Sequence, residues 1–451
     1  MKIKFLGAVG TVTGSKYLLR TKKANYLVDC GLFQGLKELR LCNWRKLFIE
    51  ASDIDAIFLS HAHIDHTGFL PRLVALGFNG PIYCSEGTYE LSKILLPDSG
   101  YLQEEEANYA NKKGYSKHKP ALPLYTREQA LESLKYFEPI DFHVPVRVKG
   151  GAQVTFSRAG HILGASSVLV AAEGTSIVFS GDVGRLKDMI MYPPEPLPDA
   201  DYLVLESTYG DRLHAGTDLE VNLANIINQV VKDNGTVVVP AFAVGRAQLI
   251  LLVLERLFRA KKIPHLKVFL DSPMAINTTK LYCDFQKEHR LSLKNCEDMS
   301  NVAILTPTPE ESKAINDVPG PKIVVSASGM ASGGRVLHHL AQYISDPKNA
   351  IVLVGYQAAG TRGRALLDGA HEIKLFGQEY AVKAKIIYFT DLSAHADYQE
   401  LIEWLKSSKI RNPKVFLTHG EDSAREHFRE LLIDTFHWDV ELPKYESEYQ
   451  L

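Results

Sequence analysis

Three histidines and one aspartate fall within six consecutive positions of the sequence: His61, His63, Asp65 and His66. They follow the apolar run 56–59, which predicts a buried strand. Because a strand that ends in a turn can aim alternate side chains at one point, His61 and His63 could share a metal ion. Asp65 and His66, one step further round the turn, could face a second ion. Imidazole and carboxylate ligands are typical of zinc in a hydrolytic site that leaves one position open for water. The stretch therefore predicts a dinuclear metal site rather than ordinary polar loop residues.

Other candidate ligands occur later in the chain, where predicted strands end. His161, Asp182 and His419 each come close after an apolar run that predicts a strand. Each of them alone could equally be a polar turn residue, but together they indicate ligands distributed along one edge of a β-sandwich. Asp29, at the end of another predicted strand, could orient such a ligand or be a plain turn carboxylate.

The composition is that of an ordinary globular protein, because 45% of the 451 residues are apolar and 23% are charged. The length suffices for about two or three domains. A net charge of −2 does not indicate a nucleic-acid binder, so the positive charge that a polyanionic substrate needs must be local or come from metal ions. The five scattered cysteines contain no C-x-x-C pair, and they indicate buried thiols in a reducing compartment rather than disulfides.

The sequence shows no signal for a membrane span or a secretory leader. Residues 2–6 alternate as a strand does, and the most apolar helix candidate, 249–258, is short and interrupted by Glu255 and Arg256. We therefore expect a soluble, cytoplasmic protein with no membrane partner. After the metal stretch a helical pattern is clear over 90–96, and the polar segment 98–145 predicts either solvated helix faces or a lid over a cleft.

The segment 217–380 alternates helical patterns with very apolar strands, which predicts a parallel α/β sheet with helices on both faces. Small residues and glycines follow several of these strands in turns that lead into helices, and such turns are natural anion sites. Arginines come just beyond these turns, namely Arg246, Arg335, Arg362 and Arg364. We expect a phosphate-binding face there, with contacts from Ser328, Gly329, Arg246 and Arg362.

Taken together, these motifs resemble the β-CASP family of the metallo-β-lactamase superfamily. The superfamily motif is His61-x-His63-x-Asp65-His66, completed by His161, Asp182 and His419. The β-CASP features are Glu206 after a strand, His395 in Ser-Ala-His-Ala-Asp and His419 in Thr-His-Gly-Glu. Further similar segments are Pro240–Arg246, Asp271–Met274, Ser328–Met330 and Gly355–Gln357. The resemblance covers nearly the whole chain, and it is to the RNA-acting members, which include the pre-mRNA 3′-end cleavage endonuclease and compact prokaryotic homologues.

The resemblance implies an α/β fold with two parts. An αββα metallo-β-lactamase sandwich would consist of residues 1–207 and 391–451, and an inserted α/β β-CASP domain would consist of residues 208–390. The active site would lie in the cleft between these domains.

The resemblance also implies the roles of the site residues. His61, His63 and His161 would bind one zinc ion, while Asp65, His66 and His419 would bind the other, and Asp182 would bridge them. Manganese is an alternative at one site, since it suits oxygen-rich ligand sets. The implied catalytic residues are Asp65, Glu206 and His395, with His395 as the general acid and Glu206 orienting or charging it.

The implied reaction is hydrolysis of RNA to a 5′-phosphate and a 3′-hydroxyl, with internal cleavage favoured over terminal cleavage. Single-stranded RNA is the expected partner, because the histidine at position 419 resembles the RNA-acting members. A DNA nuclease of the same family, a small-substrate metallohydrolase and a silent RNA-binding scaffold are the alternatives. The sequence leaves open which RNA is cut and whether the protein forms a homodimer.

Overall fold

The computed structural model describes residues 1–114 and 116–451 and divides the chain into two compact units. The first unit comprises residues 1–213 and 395–451, and the second comprises residues 214–394. The domain limits expected from the sequence, 207 and 390, lie a few residues before these breaks and stay a prediction.

The first part of the first unit mixes short strands with helices. Its strands are β1 (Lys2–Phe5), β2 (Tyr17–Arg20), β3 (Asn25–Val28), β4 (Ala56–Phe58), β5 (Ile82–Cys84), β6 (Phe137–Pro139), β7 (Val146–Arg147), β8 (Gln153–Arg158), β9 (Ser166–Ala172), β10 (Thr175–Phe179) and β11 (Tyr202–Glu206). Its helices are α1 (Lys37–Cys42), α2 (Ile64–Thr67), α3 (Leu70–Ala75), α4 (Glu86–Lys113) and α5 (Arg127–Ser133).

The second unit alternates helices and strands. Its helices are α6 (Leu219–Lys232), α7 (Arg246–Arg259), α8 (Pro273–Asp284), α9 (Leu293–Asn301), α10 (Pro309–Ala314), α11 (Val336–Tyr343) and α12 (Arg362–Leu367). Its strands are β12 (Thr236–Pro240), β13 (Lys267–Leu270), β14 (Ile304–Leu305), β15 (Lys322–Ser326), β16 (Ala350–Val354), β17 (Glu372–Leu375), β18 (Gln378–Ala381) and β19 (Lys385–Phe389). The chain then returns to the first unit with α13 (Tyr398–Ser407), β20 (Lys414–Thr418), α14 (Asp422–Phe436), β21 (Asp439–Glu441) and β22 (Glu448–Gln450).

Two sheets pack face to face in the first unit. Their strand orders are β22-β1-β2-β3-β4-β5-β6 and β21-β20-β11-β10-β9-β8-β7. The core between them contains buried aromatic rings from both sheets, including Phe5, Tyr26, Phe58, Phe156, Phe179 and Phe416. Burying one such side chain contributes roughly 1.5–3 kcal/mol, so this interface is a main source of the unit's stability.

Helices cover the outer face of each sheet. On the first sheet, Ile57 of β4 joins a core cluster with residues of α3, α4 and α5. Its neighbours Ala56 and Phe58 instead face the other sheet, as the alternation of side chains along a strand requires. On the second sheet, Leu417 of β20 packs in a cluster with residues of α13 and α14. The layers are therefore helix, sheet, sheet and helix, which confirms the αββα architecture.

The second unit contains a parallel sheet with the order β14-β13-β15-β12-β16-β19 and a separate β17–β18 hairpin. Every residue of β12, β15 and β16 is buried. Strands buried on both faces are typical of a parallel sheet covered by helices on each side. This arrangement confirms the inserted α/β domain.

Two features differ from the sequence-based expectation. Cys283 and Cys296 form a disulfide, so the expectation that all five cysteines are thiols is wrong. The pairing arises because the C-terminal turn of α8 and helix α9 bring the two Cα atoms to 5.6 Å, which the cysteine spacing alone does not reveal. Helix α4 runs on to Lys113 through Pro97, and it carries the exposed Glu105 and Glu106.

Across the described residues, we find no helix with the length and apolar character needed to cross a membrane.

Candidate metal centre

The histidine-rich stretch lies in the turn between β4 and α2. Strand β4 is wholly buried and ends at Phe58, so the next residues emerge at the edge of the sheet. Two backbone N–H groups of the neighbouring loop hold this turn in place, since Cys30 donates to the His66 carbonyl at 2.7 Å and Leu32 donates to the Ile64 carbonyl at 2.9 Å. Gly31 lies between them, and a Cβ atom there would be 1.5 Å from the Asp65 carbonyl oxygen. Only glycine allows this close approach.

One group of side chains converges around His63. Its Nδ1 atom lies 3.1 Å from His61 Nε2 and 3.2 Å from His161 Nε2. Asp182 Oδ2 lies 3.3 Å from His61 Nε2 and 3.6 Å from His161 Nε2. Four ligands at zinc–ligand distances of about 2.0–2.2 Å in a tetrahedron are separated from one another by about 3.3–3.6 Å. These four side chains therefore fit one zinc ion.

A second group lies beside the first. His66 Nε2 is 3.2 Å from His419 Nε2 and 3.2 Å from Asp182 Oδ1, and His419 Nε2 is 3.4 Å from Asp65 Oδ2. The two carboxylate oxygens of Asp182 thus face different groups, with Oδ2 toward the first and Oδ1 toward the second. The spacing fits two neighbouring metal ions that share Asp182 as a ligand.

Burial tunes the imidazoles toward their neutral forms, in which a ring nitrogen can donate its lone pair to a metal. Burial lowers the pKa of His61, lowers that of His63 to about 3 and holds that of His161 well below its usual value. Burial also opposes ionisation of Asp182, but the nearby His419, His66 and His61 outweigh it and hold the Asp182 pKa well below its usual range. These shifts favour neutral imidazoles at His61, His63 and His161 and an ionised carboxylate at Asp182, the forms in which these side chains bind zinc.

His66 is the exception among these histidines. Burial opposes its protonation, yet the carboxylates of Asp182 and Asp29 outweigh burial and raise its pKa well above the usual value. Two buried carboxylates on one imidazole create a strongly negative position, which a metal cation neutralises as well as a proton does.

A second layer of hydrogen bonds fixes which ring nitrogen faces the centre. Asp29 Oδ2 accepts from His66 Nδ1 at 2.7 Å, which leaves Nε2 for a metal. Asp29 is itself held by the N–H and the hydroxyl of Ser60, at 2.7 and 2.8 Å. Ser60 Oγ lies 3.1 Å from His61 Nδ1 and so orients that ring as well. Asp29 thus contacts a candidate ligand, and its role in orienting that ligand stays a prediction.

Glu206 and His395 form an adjacent pair in the first unit. His395 Nδ1 lies 3.1 and 3.2 Å from the two Glu206 oxygens, while its Nε2 atom lies 3.9 Å from Asp182 Oδ2. Burial lowers the His395 pKa, but the charges of Glu206 and Asp182 outweigh that effect and raise it. His395 therefore carries a proton more readily than an ordinary histidine at neutral pH, and it does so next to the candidate metal ligands.

Thr208, which the sequence did not single out, connects this pair to the second ligand group. Its hydroxyl lies 2.6 Å from Glu206 Oε2 and 3.0 Å from His419 Nδ1. Donating to the carboxylate leaves the Thr208 oxygen free to accept from His419 Nδ1–H, and His419 Nε2 then faces His66 and Asp65. The sequence gives little indication of this role. Thr208 lies two residues after Glu206, but that spacing does not reveal a hydrogen-bond partner 211 positions away.

His419 also has an unusual backbone. Its φ angle is +49°, a region that non-glycine residues rarely adopt. Such conformations persist where surrounding structure enforces them, and they cluster at functional sites. Here the His419 N–H donates to the Ala8 carbonyl at 2.6 Å.

The structure therefore brings all of the sequence-predicted metal-ligand and catalytic residues into one cluster, namely His61, His63, Asp65, His66, His161, Asp182, Glu206, His395 and His419. Their roles as ligands and catalysts stay a prediction.

The candidate phosphate contacts lie in the second unit and have protein partners there. Arg246 is only 4% exposed, and its Nη1 donates to the Leu392 carbonyl at 2.8 Å; phosphate binding by this residue stays a prediction. Arg362 Nε donates to the Lys374 carbonyl, and Ser328 Oγ accepts from the Ser332 N–H. A Cβ at Gly329 would clash with the Phe242 ring, so a packing constraint explains this glycine. Phosphate binding by Ser328, Gly329 and Arg362 stays a prediction.

Comparison with known families agrees with this geometry. Residues 9–222 match the metallo-beta-lactamase superfamily, residues 247–366 match the Beta-Casp domain, and residues 379–443 match the Zn-dependent metallo-hydrolase RNA specificity domain.

Among characterised relatives, the chain is 36% identical over 431 residues to a ribonuclease from Thermus thermophilus, covering 94% of each chain. It is 31% identical to an RNase J-like protein from Methanocaldococcus jannaschii, covering 93% of this chain and 92% of that one. It is 29% identical to cleavage and polyadenylation specificity factor 73 from Drosophila melanogaster, covering 94% of this chain and 60% of that one. The chain belongs to the β-CASP family of the metallo-β-lactamase superfamily, which confirms the resemblance.

Proposed function

We propose that the protein is a zinc-dependent ribonuclease that hydrolyses phosphodiester bonds of single-stranded RNA at a dinuclear centre. One observation carries the proposal: two donor groups with zinc-like spacing share Asp182, and the protonatable His395 lies beside them. The match to an RNA specificity domain and the ribonuclease among the relatives support RNA as the substrate.

Two metal ions, when bound, supply an activated water and stabilise the negative charge of the phosphodiester in an in-line displacement. His61, His63 and His161 would hold one ion, Asp65, His66 and His419 the other, and Asp182 both. Zinc suits the histidine-rich group, and manganese is the alternative at the group that contains Asp65.

The chain's own residues would manage the leaving group. Cleavage that yields a 5′-phosphate leaves a 3′-alkoxide, which needs a proton. His395 Nε2 is the donor, because Nδ1 is bonded to the Glu206 carboxylate and Nε2 points toward Asp182. Glu206 keeps the ring oriented and stabilises its protonated form, as its effect on the His395 pKa indicates.

The test is a cleavage assay on 5′-labelled single-stranded RNA and on DNA of matching sequence, with and without chelator. We expect chelator-sensitive cutting of RNA into internal fragments with 3′-hydroxyl ends. Asp182→Ala should lose both the activity and part of the bound metal measured by elemental analysis. His395→Ala should lose activity while keeping its metal content, since it removes the acid and no proposed ligand.

Each alternative gives a distinct result. Preferential cutting of DNA would support the DNA nuclease instead. Two bound metals without cutting of either polymer would support a small-substrate hydrolase or an RNA-binding scaffold. Undiminished cutting by the Asp182→Ala variant would contradict the mechanism itself.

A further inference from the structure

Residues 36–48 of the first unit expose large aromatic side chains. Trp44 is 51% exposed and Phe48 is 49% exposed, and both follow helix α1 in the chain. Aromatic rings bury a large apolar area when they are covered, so leaving two of them open on one short segment marks a binding surface.

The same segment is basic. Lys37, Arg40 and Arg45 are exposed, and in the described part of the chain none of the three forms an ion pair with a carboxylate. The only acidic residue within 36–48 is Glu38. In a chain of net charge −2, this is a local excess of positive charge. We call Lys37, Arg40, Trp44, Arg45 and Phe48 the aromatic–basic patch.

The patch is held firmly by its neighbours. The buried side chain of Asn43 accepts from the Phe33 N–H at 2.9 Å and donates to the Phe33 carbonyl at 2.8 Å. The Phe48 ring is fixed by Lys4, whose Nζ lies 3.7 Å from the ring centroid, and by Arg20, whose Cζ lies 5.0 Å from it. The Phe48 ring is therefore already ordered and loses little conformational entropy when a ligand stacks on it.

The patch follows, in the chain, the loop that supports the candidate metal centre. Phe33 directly follows residues 30–32, whose backbone donates to the His66 and Ile64 carbonyls as described above. The hydrogen bonds between Asn43 and Phe33 therefore tie the patch segment to this loop.

We propose that the aromatic–basic patch binds single-stranded RNA outside the candidate metal centre, with bases stacked on Trp44 and Phe48 and phosphates paired with Lys37, Arg40 and Arg45. Aromatic platforms flanked by cations are how proteins hold single strands without reading their sequence. A second copy of this chain fits the patch less well, because a symmetric contact would place like charges opposite one another. The proposal rests on the proposed ribonuclease function and names a part of its substrate surface.

Tryptophan fluorescence offers a direct test on the full chain. The chain contains three tryptophans, of which Trp404 and Trp438 are only 1% and 7% exposed. Titrating mixed-sequence single-stranded RNA in the presence of chelator, which stops cutting, should quench the exposed Trp44 by base stacking. The quenching should disappear in Trp44→Leu, whose RNA affinity should fall about 5- to 100-fold, as expected for one lost stacking contact.

Charge variants test the phosphate contacts independently. The double variant Arg40→Gln/Arg45→Gln should lower the slope of log affinity against log salt by about 1.4, since each single-strand phosphate contact contributes about 0.7. Lys406→Gln/Lys409→Gln removes the same charge from exposed positions on and just after α13 and should leave the slope unchanged.

The outcomes separate this proposal from the function on which it rests. If the parent cuts RNA but shows no quenching, and the patch variants bind RNA as the parent does, the patch proposal is overturned and the ribonuclease stands. If the parent neither binds nor cuts RNA, both fail. If Trp44 fluorescence changes with protein concentration in the absence of RNA, a second copy covers the patch and the proposal is overturned.

Discussion

Replacing Thr208 with valine removes a single hydroxyl that connects the Glu206–His395 pair to a candidate metal ligand. Thr208 is 2% exposed, and its Oγ1 lies 2.6 Å from Glu206 Oε2 and 3.0 Å from His419 Nδ1. Valine has nearly the same shape, so packing is preserved while both hydrogen bonds are lost. Of the side-chain oxygens that the structure describes near it, His419 Nδ1 then keeps only Asp182 Oδ1, 3.5 Å away, so the ring is held less firmly with Nε2 toward the other candidate ligands.

The size of the effect follows from what that hydroxyl supports. Losing the partner of a metal-binding histidine typically lowers metal affinity or activity about 10- to 100-fold. A buried donor left without an acceptor lowers the free energy of unfolding by about 1–3 kcal/mol. We expect both changes in Thr208→Val, with Thr208→Ser restoring most of the metal affinity because it keeps the oxygen.

The assay is competition for zinc against a chelator of known affinity, followed by a urea unfolding curve on the same samples. Thr278→Val is the matched control, since Thr278 is equally buried in α8 and its hydroxyl has no hydrogen-bond partner among the described residues. That variant should keep both metal affinity and stability. Zinc affinity in Thr208→Val equal to that of the parent would refute the idea that Thr208 orients His419.

Three further predictions concern the supports of the site and of the fold. Asp29→Asn removes the negative charge of the carboxylate that faces His66 Nδ1. Zinc affinity should fall about tenfold in the same competition assay, and unchanged affinity would mean that Asp29 is only a turn residue. The double variant Cys283→Ala/Cys296→Ala opens a loop with a sequence separation of 13 and should lower the free energy of unfolding by about 3 kcal/mol; a melting curve that reducing agent leaves unchanged in the parent would contradict this. Burial lowers the pKa of Lys16 from 10.5 to about 8. Between these pH values Lys16 is neutral in the folded state and protonated in the unfolded state, so the free energy of unfolding should rise as pH increases from about 8 toward about 10.5. Urea curves should show this rise, about 3 kcal/mol in full, in the parent and lose it in Lys16→Met; equal pH dependence in both would refute it.

The sequence predicts most of this centre because its donors occur where buried strands end. The apolar run before His61 fixes a strand, and a strand end fixes where the next side chains emerge. The same holds for Asp182 after β10 and His419 after β20. Residue type and local pattern are therefore enough to place these ligands at one edge of the two sheets.

The features that the sequence does not predict depend on contacts between distant segments of the chain. Nothing in the sequence near Thr208 marks it as functional. The pairing of β11 with β20 places it beside His419. Helix α4 passes through Pro97 because its apolar face, including Leu91 and Leu95, is buried, and that packing outweighs the hydrogen bond which the proline removes. The burial of Arg246 and the Cys283–Cys296 bond likewise arise from packing within the second unit. Composition and residue spacing alone do not reveal these contacts between distant residues.

The register of one strand pair explains why the catalytic pair and the second ligand group meet. Strands β11 and β20 are parallel, and Glu206 pairs with Thr418. The residue after each of these positions leaves the sheet at the same edge, so His419 comes beside the turn that carries Thr208. A slip of one residue would turn every side chain of β20 to the opposite face, which would remove the Phe416 ring from its contacts with Phe5 and Tyr449 in the core between the sheets. The core therefore enforces the register, and the register assembles the site.

Because the energy of closing a long connection grows only slowly with its length, the chain can leave the first unit after Leu213, form the second unit and return at His395. The last 57 residues (395–451) then supply both His395 and His419, so neither the proposed general acid nor the second group of candidate ligands is complete until the chain has returned.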